Sequence, residues 1–233
     1  MTEPHQARQI AESFGTDAER YDRARPRYPG ALVAAIVAAT PGADARMADL
    51  ARRSGLGVEV ATFEAWGSGG RQFDAVVAGQ AWHWVDPVAG AAKAAGVLRP
   101  GGRLAVFWNA LEPPSGLAEA FAGVYRRVQP GLPFNPWARP VLDSYLAMCG
   151  TAADGIRQAG GFGEPEQWRF GWDHRYTRDE WLAMVPTAGG HSQLPPAELA
   201  ELLAGLGAAV DGVGGSFTAQ VTTLAVTASR TRS

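Results

Sequence analysis

The stretch Phe73-Asp74-Ala75-Val76-Val77-Ala78-Gly79-Gln80-Ala81-Trp82-His83-Trp84-Val85-Asp86-Pro87 is followed closely by Val97-Leu98-Arg99-Pro100-Gly101-Gly102-Arg103-Leu104-Ala105-Val106-Phe107-Trp108. A short apolar strand ends in a polar, aromatic turn. A helix follows, and Pro100-Gly101-Gly102 turns the chain into a second apolar strand. This pattern is a β-α-β unit. The near-continuous apolar character of Phe73–Ala78 and Leu104–Trp108 suits parallel strands covered on both faces. Open α/β sheets bind ligands outside the carboxyl ends of such strands. Chemistry is therefore expected at Gly79 to Trp84.

Outward from this unit, other elements follow from local signals. Residues 6–22 read as a polar helix, interrupted by Arg25-Pro26-Arg27-Tyr28-Pro29 because proline disfavours helix at the residue before it. Ala31 to Ala39 is an apolar helix ended by Thr40-Pro41-Gly42. Asp44 is expected to cap a helix from Ala45 to Arg53, and Val58 to Phe63 to form a strand. Gly67-Ser68-Gly69-Gly70 is a plain turn: it lacks G-x-G-x-x-G spacing and leads into a strand, not a helix. In the carboxyl half, helices are expected over 117–128, 141–149, 152–158 and from Pro195 to about Val210. Gln167–Tyr176 alternates aromatic and polar residues as a half-exposed strand does. Thr177-Arg178-Asp179-Glu180 has the spacing of a capping box, and Phe217–Ala228 is a final strand.

Composition narrows the function. A chain of 233 residues that is 46% hydrophobic can build one α/β domain with a sizeable core. A net charge of −2 gives no electrostatic case for a nucleic-acid partner. Lys93, the only lysine, lacks the glycine pattern of a P-loop. Cys149 is the only cysteine, so neither an intramolecular disulfide nor a cysteine-based metal site is available. His5, His83, His174 and His191 have no metal-ligand spacing, so no metal is expected. No apolar run approaches a membrane span, and the amino terminus lacks a signal-peptide core. The expectation is a cytoplasmic enzyme or binding protein, without nucleic-acid or membrane partners and with its oligomeric state open.

The two central motifs, with Phe14, Tyr21 and Arg25-Pro26-Arg27-Tyr28-Pro29 ahead of them, resemble the class I S-adenosylmethionine-dependent methyltransferases. Within that family the chain is most similar to small-molecule enzymes of the trans-aconitate type. The resemblance implies an α/β, Rossmann-like sheet with helices on both faces and an antiparallel C-terminal strand. It implies a single domain over 1–233, with residues 1–29 as a lid and a helical segment, 110–163, contributing to the acceptor side. The implied activity is methyl transfer from S-adenosylmethionine to a small organic acceptor. The chain departs from the family between Gly42 and Ala43, where the first strand, glycine-rich loop, helix and second strand would fall. A βαβ unit takes about 30 residues or more, so the first such unit is missing here. With it go the loop amides and the acidic residue that hold a nucleoside in such sheets. A methyltransferase-like binding or scaffold protein without cofactor binding is the alternative.

By the same resemblance, Tyr21 and Arg25 close over the cofactor, Phe63 and Glu64 sit beside its adenine, and Gly79, Gln80, Ala81 and Trp82 line its pocket. Against this, Tyr21 and Arg25 could merely pin the amino-terminal helix, Glu64 could be a solvated loop carboxylate, and Trp82 and Trp84 could be packing residues. His83 is the catalytic candidate, since a histidine can serve as general base for an oxygen or nitrogen nucleophile. It could instead cap or pack. Phe134, Trp137, Tyr145, Trp168, Trp172, Tyr176 and Trp181 divide between core and an acceptor pocket that would draw on His174, Arg175, His191 or Ser192.

Overall fold

The computed structural model describes residues 18–40, 47–48, 61–128, 136–137, 140–188, 191 and 194–232. The helices are α1 (Ala18–Ala24), α2 (Gly30–Ala39), α3 (Pro87–Val97), α4 (Ser115–Val128), α5 (Val141–Ala159), α6 (Arg178–Met184) and α7 (Pro196–Asp211). The strands are β1 (Met47–Ala48), β2 (Phe73–Gly79), β3 (Leu98–Glu112), β4 (Glu166–Thr177) and β5 (Ser216–Ser229). They form one sheet in the order β1-β2-β3-β5-β4. β2 runs parallel to both neighbours, with Met47 opposite Ala75 and Val77 opposite Ala105. The Thr227 hydroxyl bonds Leu104 O, and the Thr223 hydroxyl bonds Asn109 Oδ1. Residue numbers rise along β3 as they fall along β5, so the C-terminal strand is antiparallel.

Two expectations are corrected near the departure point. The helix proposed over Ala45–Arg53 is a strand where the chain is described, at Met47–Ala48. Parallel pairing with β2 overrides the local helix propensity of Met47 and Ala48. The strand proposed over Val58–Phe63 is a bend and turn at residues 61–63. There Trp66 N bonds Thr62 O at 2.9 Å, so the backbone closes locally instead of joining a ladder. Residues 58–60 and the Gly42–Ala43 junction lie outside the described residues, as do residues 6–17 of the first expected helix.

The chain divides into two compact units, each built from separate segments. One comprises residues 1–27, 111–143 and 171–221. Its core joins α4, α6 and α7 through Phe121, Trp181, Leu202, Leu206 and Phe217. Trp181 stacks on Phe121 with centroids 5.1 Å apart and planes 8° from parallel. α6 begins with the expected capping box: Thr177 Oγ1 accepts from Glu180 N, and Glu180 Oε2 accepts from Thr177 N at 2.8 Å.

The other unit comprises residues 28–110, 144–170 and 222–233. Leu32 and Ile36 of α2 pack against Val77, Ala105, Phe107 and Ala225 of the sheet. Arg103 is buried in this sheet. Its guanidinium donates to Ala39 O at 2.9 Å, Thr227 Oγ1 at 3.1 Å and Ser229 Oγ at 2.9 Å, and lies over the Trp168 ring. One cation thus ties the end of α2 to two strands. α5 is continuous through Gly150-Thr151, where two helices were expected. Its Gly155 lies against Pro87 at the start of α3, so closely that a β-carbon there would fall 2.6 Å from Pro87 O.

Candidate active site at the carboxyl end of β2

β2 ends at Gly79, and the backbone turns sharply at Gln80, whose φ is +53°. A side chain other than glycine in the left-handed region costs roughly 1–2 kcal/mol. Gln80 N stays bonded to Phe107 O at 2.8 Å, and its side-chain amide donates to Asn109 O at 3.4 Å. Asn109 is in turn fixed by the Thr223 hydroxyl at 2.7 Å. The turn is therefore held to β3 from both backbone and side chain. Beside it, Gly79 is hemmed in. A β-carbon on it would lie 2.5 Å from the Tyr28 hydroxyl and 2.7 Å from Phe107 Cε2.

Trp82–Trp84 forms one turn of 3-10 helix leading to α3. Asp86 caps α3, accepting from Val88 N at 3.0 Å and Ala89 N at 2.8 Å, with Pro87 at the first helical position. The Trp82 ring is buried against Gly90, where a β-carbon would come within 3.2 Å of it. Phe63 flanks it with centroids 5.9 Å apart. Among the described residues, Trp82 Nε1 is buried with no hydrogen-bond partner. Glu64 Oε1 accepts from Asp86 N at 3.1 Å, which pins the 61–66 loop to the cap of α3. His83 is exposed, and its Nδ1 accepts from the buried Trp108 Nε1 at 3.2 Å. The protein packed around the ring lowers the imidazole from 6.5 to about 4. Donation by Trp108 acts in the same direction, because it requires an unprotonated Nδ1.

The structure thus brings Phe63, Glu64, Gly79, Gln80, Ala81, Trp82 and His83 into one loop cluster. Tyr21 and Arg25 belong to the other compact unit. There Arg25 lies over the Tyr21 ring at 5.2 Å and donates to the Thr187 hydroxyl and carbonyl at 2.9 and 2.6 Å. Tyr176 and Trp181 are core residues, and Trp137 packs against that core. His191 is buried and bonds the Tyr125 hydroxyl at 2.6 Å. Arg175 bonds Ser216, and the His174 ring contacts Trp172 and Tyr176. Phe134 and Ser192 lie outside the described residues.

Sequence reasoning did not single out Trp108, Asn109 or Tyr28 as site residues. Asp86-Pro87 carried a legible helix-start signal. The other three touch the turn from elements distant in sequence and had none.

Residues 27–106 match the family model described as a methyltransferase domain. Uncharacterized methyltransferases of Mycobacterium bovis and Mycobacterium tuberculosis are each 31% identical over 134 residues, covering 44% of this chain and 54% of theirs. The chain spans about half the length of these curated relatives. The solved structure of a candidate type II methyltransferase from Anaeromyxobacter dehalogenans aligns with a TM-score of 0.54 at 19% identity, over 89% of this chain and 98% of that one. That likeness is one of fold. The matched segment holds α2, β2, α3, most of β3 and the Gln80 turn, and over it this chain is similar to a methyltransferase domain.

Proposed function

We propose that this chain is a cytoplasmic enzyme that binds S-adenosylmethionine at the carboxyl end of β2 and transfers its methyl group to a small organic acceptor. The observation that carries this reading is the left-handed Gln80 turn, strained and braced at the end of a parallel strand. Strain retained at a strand's carboxyl end points to function. The site residues fit an adenosyl group. Phe63 and Trp82 supply an aromatic wall, and the orphaned Trp82 Nε1 is a buried donor in need of an acceptor. When bound, the cofactor supplies a methyl group already activated by a sulfonium.

The protein's part is then chiefly alignment, which can contribute about 7–11 kcal/mol toward a barrier. Gly79 and Gln80 present backbone to the bound molecule. Asn109 and Thr223 keep that backbone in place, and the Glu64–Asp86 contact holds the aromatic wall against α3. His83 follows Trp82 on the 3-10 turn, with its Nδ1 held by Trp108 Nε1.

Two observations favour a second reading. The sequence lacks the family's glycine-rich loop and ribose-binding acid, and the Tyr28 hydroxyl crowds Gly79. These suit a methyltransferase-like binding or scaffold protein. The discriminating experiment is an assay of S-adenosylhomocysteine formation across a panel of small carboxylic acids, amines and thiols. Acceptor-dependent product supports the enzyme; a folded protein with no product on any of them contradicts it.

A further inference from the structure

We infer that Trp108 fixes His83 as the tautomer with its hydrogen on Nε2, so that His83 meets a bound molecule as a hydrogen-bond donor and not as a proton acceptor. The Trp108 indole Nε1–H can only donate. It points at His83 Nδ1 from 3.2 Å. That nitrogen must offer a lone pair, and a neutral imidazole carries a single N–H. The hydrogen therefore sits on Nε2. An imidazolium would set N–H against N–H, and the opposite tautomer would do the same.

Trp108 is the fixed member of the pair. It is 1% exposed and lies within β3, whose register with β2 is set by the ladder from Ala75–Arg103 to Gly79–Phe107. His83 sits on a short exposed turn, with the Trp84 ring 4.6 Å away, and it adapts to the indole.

The consequence for chemistry rests on the methyl-transfer reading above. A nucleophile that must shed a proton cannot pass it to Nε2, which already holds one. His83 instead selects molecules that turn a lone pair toward Nε2, and the attacking atom must arrive unprotonated or lose its proton elsewhere. His83 is thus a specificity-determining residue, and Trp108 is its positioning residue.

The test is a long-range 1H–15N correlation spectrum of the uniformly labelled full chain at pH 7, with the His83 signals assigned by their loss in His83→Gln. The expected result is a protonated, pyrrole-like Nε2 and an unprotonated, pyridine-like Nδ1. A protonated Nδ1, as the other tautomer or as imidazolium, overturns the inference. In Trp108→Phe, the two tautomers should average; an unchanged tautomer removes Trp108 from the role. Should that variant not fold, a scalar coupling across the Trp108 Nε1–His83 Nδ1 hydrogen bond in the parent protein decides the same point, its absence counting against Trp108. None of these signals depends on cofactor binding, so the tautomer and the methyl-transfer reading fail separately.

Discussion

The Tyr28 hydroxyl stands 2.5 Å from the point that a β-carbon on Gly79 would occupy, and the Tyr28 ring meets Phe107 edge-on with centroids 4.6 Å apart. Glycine is thus required at the end of β2 by packing from a residue far away in sequence. Gly79→Ala should destabilise the protein by about 1–3 kcal/mol, the usual cost of overpacking a tight site. Adding Tyr28→Phe should recover part of the loss, because it removes the nearest atom. Urea unfolding of the single and double variants checks this, and an unaltered midpoint for Gly79→Ala would show that the approach is loose.

Gln80 has a positive φ without being glycine. Gln80→Gly relieves roughly 1–2 kcal/mol of left-handed strain and adds about 0.5–1 kcal/mol of unfolded-chain entropy. Its stability should match or exceed the parent's by up to about 1.5 kcal/mol, whereas a β-branched Gln80→Val should lose stability. Thermal unfolding separates the two. If Gln80→Gly falls well below the parent, the bond to Asn109 O outweighs the strain.

Arg103 is a cation inside the sheet; it donates to a helix-end carbonyl and two hydroxyls, and the Glu166 carboxylate lies 3.8 Å from it. Arg103→Met keeps much of the stem and removes every donor. Each buried acceptor left unsatisfied costs on the order of 1–3 kcal/mol. The fold should be lost or markedly weakened in chemical denaturation, more than for Arg157→Met on the exposed side of α5. Equal effects of the two would assign Arg103 no special part.

His83 makes two linked predictions. Its folded-state pKa is depressed from 6.5 to about 4, so between those values the unfolded chain binds the proton that the folded chain refuses. The contribution of His83 to stability is therefore full above pH 6.5 and is lost as pH falls toward 4. In His83→Gln that part of the acid dependence should disappear. As a donor and not a base, His83 should also matter modestly to turnover. His83→Ala should cost less than about 10²-fold, below the 10²–10⁴ range of general-base removal. A loss near 10⁴-fold with unchanged cofactor affinity would make it a base.

Much of the fold was legible because it rests on local signals. The apolar run Phe73–Ala78 and the Thr177–Glu180 capping box each declare themselves within a few residues, whereas Pro100-Gly101-Gly102, expected as a turn, lies within β3. Met47–Ala48 did not, because a two-residue strand is defined by its neighbour β2 and not by its own pattern. Two short helices were expected in place of α5 because Gly150-Thr151 looks like a break; Thr151 Oγ1 instead bonds back to Ala147 O at 3.2 Å within the helix. The loop cluster around Gly79–His83 could be placed from the strand end alone. Its supports could not. Tyr28, Trp108 and Asn109 reach the turn through tertiary packing, and nothing in their flanking residues marks them.

On the proposed reading, the carboxyl end of β2 binds an adenosyl cofactor without the glycine-rich loop usual in class I methyltransferases. Calorimetric titration of the folded chain with S-adenosylhomocysteine tests it most directly. Saturable binding at a single site is expected, with a dissociation constant in the micromolar range, about −8 kcal/mol, weakened in Trp82→Phe through loss of the buried indole donor. A chain that unfolds cooperatively, and so is folded, yet shows no binding heat at several temperatures would contradict it and leave the scaffold reading in its place.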